Sequence, residues 1–282
     1  MNCPLCLHQS TEVFTAHGYS ILDCNHCGHR FADVEIPADH TDKIYSDGYF
    51  TGGGAGYPDY LREGRIVRDH GRWYAKKLAG YMQPGQMLDV GAAAGFILQG
   101  FVDNGWQGRG IEPNAAMAQY ARESLGMQVQ VGALELFATS ERCDLVSMIQ
   151  VVAHFANIRA ALGVAAEVTK PLGFWLIETW NKNSIAARAF GKNWHEYSPP
   201  SVLHWFSPKT LSALATQYGF REIARGRPSK WINGGHAKSL VKYKLSGSSA
   251  GRIVSRLLNV VPDYVPIPYP ADDLFWMLLQ KS

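Results

Sequence analysis

The stretch Met87-Leu88-Asp89-Val90-Gly91-Ala92-Ala93-Ala94-Gly95-Phe96 constrains this chain most: a short apolar run ends in an acid and breaks into a loop of small residues. It reads as a buried strand, a turn and the start of a helix. Gly91 and Gly95 let the backbone approach a ligand closely, and a helix starting near Gly95 aims its amide groups and dipole at that ligand. A nucleotide-like guest suits such a loop. A P-loop would end in Lys and then Ser or Thr, and the glycines do not follow G-x-G-x-x-G, so a phosphate cradle is disfavoured. Alone, the loop is read equally well as a tight turn with no ligand.

The residues that follow favour the ligand. Phe96, Ile97, Leu98, Phe101 and Val102 form a helical stretch closed by Asn104-Gly105, and a second strand over 108–111 ends on Glu112. In dinucleotide folds, an acid about 20 residues on, at the tip of the next strand, binds the ribose hydroxyls. Leu88-Asp89-Val90-Gly91-Ala92-Ala93-Ala94-Gly95 followed by Gly110-Ile111-Glu112-Pro113 resembles the cofactor site of class I S-adenosylmethionine-dependent methyltransferases. The resemblance implies an α/β fold with a Rossmann-like, seven-stranded sheet and helices on both faces. It implies S-adenosylmethionine as cofactor, with Asp89, Gly91 and Gly95 around its amino acid and ribose and Glu112 on the ribose. Ala92, Phe96 and Pro113 border that site, and Gln150 stands at the mouth of a later strand. By the same resemblance Ala133 and Leu134 line the adenine pocket, and Tyr45 and Tyr49 are candidates for a lid; a linker whose aromatics pack on the core is the alternative.

The chain has 282 residues, 46% of them hydrophobic, enough to bury one large core and still carry a small module. Its net charge is +3, with Lys and Arg scattered, which gives no strong pull toward nucleic acid. No apolar run reaches the ~20 residues that span a bilayer, and Met1-Asn2-Cys3 begins no signal peptide, so a cytoplasmic protein is expected.

Four of the five cysteines form two knuckles, Cys3-Pro4-Leu5-Cys6 and Cys24-Asn25-His26-Cys27, with 17 residues between them. That spacing fits a zinc ribbon. Each knuckle sets two thiolates on one turn, and the intervening hairpin brings the turns together so that four sulfurs close a tetrahedron around Zn²⁺. Two disulfides are disfavoured without a secretory signal, and a redox pair would not need two copies. Four thiolates leave no open position for catalysis, so the zinc is expected to be structural, and His8, His17, His26 and His29 are expected as solvated loop residues.

The expected organisation is a ribbon over 1–36, a segment over 37–85 holding the linker, aromatic lid and a helix, and a methyltransferase domain over 86–282. Substrate-side insertions are expected near 181–206 and 227–271. A glycine-rich hinge at 51–56 follows the lid tyrosines, strands are expected over 128–131, 143–149, 174–179 and 220–224, and the run 273–279 fits an antiparallel last strand. Helical stretches are expected over 237–245 and 250–259. The basic segment Arg225-Gly226-Arg227-Pro228-Ser229-Lys230-Trp231 reads as a solvated loop, with contact to a phosphate-bearing substrate as the alternative.

Methyl transfer needs a nucleophile in line with the methyl carbon and often a base for its proton. Histidine suits that task near neutral pH. The candidates are His154, His195 and His204, with Glu196 or Tyr197 as orienting or alternative groups. In methyltransferases similar to ubiquinone-pathway and sugar-modifying enzymes, the segment after the central strand carries Glu-His, whereas here Ala153 precedes His154. The leading reading is methylation of a small-molecule or glycan acceptor at oxygen or carbon. A second is an RNA methyltransferase, because some ribosomal RNA enzymes begin with a similar zinc module containing a Cys-Pro-Leu-Cys turn. A third is a non-catalytic zinc-ribbon scaffold. No membrane span is expected, and the oligomeric state is left open.

Overall fold

The structure is a computed structural model that describes residues 1–37, 39–52, 57–244, 262–269 and 271–282. Most of the expected hinge and the expected helix over 250–259 lie outside the described residues. In chain order the strands are β1 (Ser10–Ala16), β2 (Tyr19–Cys24), β3 (Arg30–Ala32), β4 (Gln86–Val90), β5 (Gln107–Glu112), β6 (Gln128–Val131), β7 (Cys143–Ile149), β8 (Thr169–Trp180), β9 (His204–Trp205), β10 (Phe220–Gly226), β11 (Trp231–Asn233), β12 (Pro266–Pro268) and β13 (Leu274–Lys281). The helices are α1 (His40–Ile44), α2 (Asp47–Thr51), α3 (Gly64–Leu78), α4 (Phe96–Val102), α5 (Ala115–Leu125), α6 (Ile158–Val168), α7 (Ile185–Phe190), α8 (Pro208–Thr216) and α9 (Gly234–Lys244).

The helix boundaries follow from local chemistry. The side chains of Asn114, Asn157, Ser184 and Ser207 each accept a hydrogen bond from an otherwise unpaired amide in the first turn of α5, α6, α7 and α8. Gly126, with φ +66°, ends α5 in the left-handed region that a side chain resists. Strand β8 is longer than expected. Thr169 already pairs with Cys143, and an irregularity that includes Leu172 at φ +60° lets Lys170 and Pro171 pass without the chain leaving the sheet.

Seven strands form one sheet in the order β10-β13-β8-β7-β4-β5-β6, and a second sheet runs β1-β2-β3-β9. Strands β8, β7, β4, β5 and β6 are parallel to their neighbours within this run, while β13 runs antiparallel to both β8 and β10. The period of two sorts each central strand onto two faces. Val146, Met148, Trp175, Ile177 and Met277 pack with α6 and α8, whereas Leu145, Leu176, Trp276 and Leu278 pack with α3, α4 and α5. Helices α3 and α4 lie very close together: a Cβ added at Gly100 would sit 2.3 Å from the Arg68 carbonyl oxygen, and one at Gly71 2.4 Å from that of Ile97. This contact anchors α3, whose His70 and Tyr74 reach Glu178 on β8.

The cysteine module is tied to the rest of the chain through its sheet. Strand β9, inside the 181–206 insertion, pairs antiparallel with β3, Phe31 opposite His204 and Arg30 opposite Trp205. Leu5, Leu22 and Phe31 share a core with Phe155 and Phe206. His29 is not the solvated residue expected from its position. It is fully buried, with Nε2 3.1 Å from Nδ1 of His204, while His8, His17 and His26 are exposed. Among the described residues no helix is long and apolar enough to cross a membrane.

Candidate active site and cysteine cluster

The sheet order reverses between β4 and β7, and open α/β sheets bind ligands in the crevice beyond the carboxyl ends of such strands. Gly91, at φ +64°, turns the chain out of β4 there, and a Cβ on it would meet Val151 Cγ2 at 2.6 Å. Only glycine allows the two strand exits to lie this close. At the tip of β5 the Glu112 carboxylate accepts the Ala93 amide on Oε2 and the Asn114 amide on Oε1, each at 2.8 Å. Asn114 also donates from Nδ2 to the Tyr45 carbonyl at 2.9 Å, joining α5 to the segment that carries the tyrosines. Asp89 is 2% exposed, and its Oδ1 accepts from Ser147 Oγ at 2.6 Å. Burial pushes the Asp89 carboxyl up to about 7; Ser147 opposes that rise and the neighbouring Glu112 charge adds to it.

A cavity of about 270 Å³ opens over these carboxylates. Its cofactor side is walled by Asp89, Gly91, Ala92, Glu112, Pro113 and Gln150, and Tyr45 and Tyr49 stand over it. The set is chemically suited to S-adenosylmethionine. Two carboxylates face a space that a cationic amino group and ribose hydroxyls would fill with charge and donors, and each Glu112 oxygen keeps accepting capacity beyond its one backbone amide.

The same cavity is also lined by His154, His195 and Glu196. His154 Nδ1 lies 2.8 Å from the Ser201 carbonyl oxygen, which can only accept, so Nδ1 carries the proton and Nε2 is the basic nitrogen. The ring is wedged between Tyr45 and Trp180 at centroid distances of 5.7 and 5.5 Å. Burial lowers the His154 pKa from its ordinary value, against the pull of the Ser201 carbonyl and Glu196 carboxylate. Tyr45 donates its hydroxyl to the same Ser201 carbonyl at 2.9 Å.

Three imidazole–carboxylate pairs stand in or directly behind the cavity wall: His195 with Glu196 at 2.5 Å, His70 with the buried Glu178 at 2.8 Å and His236 with Glu63 at 2.8 Å. Glu178 is completely buried and also accepts from Tyr74 Oη at 2.5 Å and Gln150 Nε2 at 2.7 Å. Burial alone would raise its pKa, but the His70 charge and hydrogen bond, with Lys230 and Tyr74, hold it at about 2.

The cysteine cluster lies apart from this cavity. The Sγ atoms of Cys3, Cys6, Cys24 and Cys27 all lie within 4.8 Å of one another, and Cys3–Cys27, Cys6–Cys24 and Cys6–Cys27 stand 3.7, 3.4 and 3.5 Å apart. A tetrahedron with Zn–S bonds of about 2.3 Å has edges of about 3.8 Å, so the four sulfurs fit a zinc ion. The amides of Leu5, His26 and Cys27 point at Cys3 or Cys24 sulfur at 3.4 Å, as expected where thiolate charge is to be stabilised.

The model of the methyltransferase domain family matches residues 70–224, more than half of the chain. The chain belongs to the methyltransferase domain family. It is 34% identical over 165 residues to the ubiquinone biosynthesis O-methyltransferase of Bradyrhizobium sp. (strain ORS 278), a match covering 57% of this chain and 56% of that one. The protein of the same name from Alkalilimnicola ehrlichii is 29% identical over 199 residues, covering 63% of this chain and 81% of that one. This chain thus spans little more than half the length of the Bradyrhizobium relative. A SAM-dependent methyltransferase of known structure from Archaeoglobus fulgidus superposes with a TM-score of 0.52 at 16% identity, over 79% of this chain and 99% of that one. The YcgJ protein of Bacillus subtilis does so at 0.51 and 16%, over 76% and 98%. These two likenesses are of fold, the Rossmann-like sheet of class I methyltransferases.

Within this methyltransferase-family chain, several residues expected at the site stand off the cavity wall. Gly95, at φ +80°, shapes the start of α4, and Phe96 packs its ring on Tyr60 and against Gly64. Leu134 is buried in the core below the neighbouring Glu135, which does reach the wall, and Ala133 does not. His204 and Tyr197 are corrected from the reacting side to the interface between the cysteine module and the sheet. His204 Nε2 faces the Phe155 carbonyl at 3.1 Å, its Nδ1 faces His29, and Tyr197 Oη accepts from Arg30 at 2.6 Å. The residues that motif reading passes over are Glu63, His70, Glu178 and His236, drawn from three separated parts of the chain.

Proposed function

We propose that this protein transfers the methyl group of S-adenosylmethionine to a hydroxyl oxygen of a small hydroxylated molecule. The observation that carries the reading is the continuity of one cavity from Asp89 and Glu112 to His154, whose tautomer Ser201 sets. When bound, the cofactor supplies a methyl carbon on a cationic sulfur. Asp89 would meet the cofactor's amino group and Glu112 its ribose hydroxyls, while Tyr45 and Tyr49 would cover the site and keep water from competing with the acceptor. On the acceptor side, His154 Nε2 would take the hydroxyl proton as the acceptor oxygen gains the methyl group, the cofactor leaving as the neutral thioether. Oxygen as the acceptor atom is supported by the relatives named as O-methyltransferases. The four cysteines hold a structural Zn²⁺ in this reading.

The test is to incubate the full chain with methyl-labelled S-adenosylmethionine and a panel of phenols, catechols and sugars. The expected label is in an ether methyl group, with one S-adenosylhomocysteine released per methyl transferred. Label only on nitrogen or on added RNA, or no transfer to any hydroxyl, overturns the reading.

A further inference from the structure

Among the described residues, one cation on the cavity wall has no carboxylate within ion-pair distance, and its charge reaches the buried Glu178 only through space. The basic segment supplies three cations, and the structure separates them. Arg225 pairs with Glu222 at 3.2 Å and Arg227 with Asp272 at 3.2 Å, neither arginine reaching the cavity wall. Lys230 alone of the three is on that wall. Among the described residues no carboxylate oxygen lies within 4.0 Å of its ammonium, which stands 5.3 Å over the Tyr269 ring.

The acids nearby are already matched. Glu178 faces His70, and both ring nitrogens of His70 face oxygens that only accept, Glu178 Oε2 at 2.8 Å and the Ser229 carbonyl at 3.3 Å. The Glu178 carboxylate thus has donors of its own in His70, Tyr74 and Gln150. Glu63 and Glu196 each face one ring nitrogen of a histidine, at 2.8 and 2.5 Å. A cationic acceptor would meet Lys230 with a like charge, whereas an anionic one would complete it.

Resting on the O-methyl transfer reading, we propose that the acceptor carries an oxyanion, a carboxylate or a phosphate ester, which seats on Lys230 with its ring against Tyr269 while the hydroxyl to be methylated lies toward His154. Lys230 is a specificity residue in this arrangement. It fixes which end of the acceptor faces the base, and it takes no part in the proton transfer.

The experiment is calorimetry on the full chain saturated with S-adenosylhomocysteine. Protocatechuate is compared with its methyl ester for the carboxylate arm, and glucose phosphate with glucose for the phosphate arm. In at least one arm the anion is expected to bind about ten- to a hundred-fold more tightly than its neutral counterpart, the range for a hydrogen bond to a charged group. Lys230→Met, which keeps the aliphatic contact with Tyr269, removes that preference with an unchanged melting curve. Arg227→Met, outside the cavity, retains it. An absence of anion preference in both arms, or a preference that survives Lys230→Met, overturns the inference. Ether methylation of neutral acceptors at the rate of their anionic counterparts also overturns it and leaves O-methyl transfer standing, whereas loss of all transfer to hydroxyls strikes the underlying reading instead.

Discussion

Alanine in place of His154 is expected to slow single-turnover methyl transfer by about two to four orders of magnitude, the usual contribution of a positioned general base. Cofactor affinity should stay within about twofold, because His154 shares no hydrogen-bond partner with Asp89 or Glu112. His154→Asn separates base from scaffold. Its amide still donates to the Ser201 carbonyl but offers no basic nitrogen, so it should be as slow as alanine. The pH profile carries a second signature. A base works unprotonated, and burial lowers the His154 pKa, so the rate holds through neutrality and falls as pH drops through a value below the imidazole's ordinary one of about 6.5. That acid limb disappears in the variants. A His154→Ala rate within tenfold of the parent would move the base to the His195–Glu196 pair.

Removing metal from the four cysteines is expected to raise the acceptor KM by about tenfold or more, the scale of losing a buried charge-assisted anchor, while cofactor affinity changes little. The path is continuous. The second knuckle leads into β3, whose residues pair with β9, and the Ala32 amide donates to the Leu203 carbonyl at 2.9 Å. Lys182 Nζ donates to the Gly28 carbonyl at 2.6 Å and Arg30 to Tyr197 Oη at 2.6 Å, fixing both ends of the insertion. Ser201, two residues from Leu203, carries the carbonyl that orients both His154 and Tyr45. A structural zinc contributes about 10–16 kcal/mol of apparent folding free energy in small modules, so the loss of the zinc proposed for these four cysteines would release the strand on which that carbonyl depends. The cofactor loop is built from β4, β5 and α5, and its hydrogen bonds do not run through the module. Chelation followed by near-ultraviolet circular dichroism and acceptor titration checks this. An unchanged spectrum and unchanged KM in metal-free protein would detach the module from the acceptor site.

The cofactor side was legible in the sequence because its parts are local. A strand, a glycine turn and an acid at the next strand tip lie within one βαβ unit, and the two knuckles announce their own geometry. The acceptor side is assembled at long range, where spacing carries no signal. His70 meets Glu178 across 108 positions and His236 meets Glu63 across 173. His204 and Tyr197 are misplaced for the same reason: β9 is two residues long, its partner strand β3 lies far earlier in the chain, Arg30 opposite Trp205, and no apolar alternation marks such a pairing. His29 follows the second knuckle and looks solvated until β9 covers it.

Calorimetric titration of S-adenosylmethionine into the full chain tests the central claim most directly, because everything proposed for the acceptor presupposes a cofactor at the ends of β4 and β5. One site per chain is expected, weakened about ten- to a hundred-fold by Glu112→Gln, which removes the charge from a hydrogen-bonding acceptor. Asp89 must be ionised to meet the cofactor's amino group, and its carboxyl stands at about 7, so affinity should fall as pH is lowered through that value and binding should release protons. Binding with this stoichiometry, this pH dependence and this loss in Glu112→Gln is the predicted result. No heat at millimolar cofactor, or binding that Glu112→Gln leaves untouched, would contradict it.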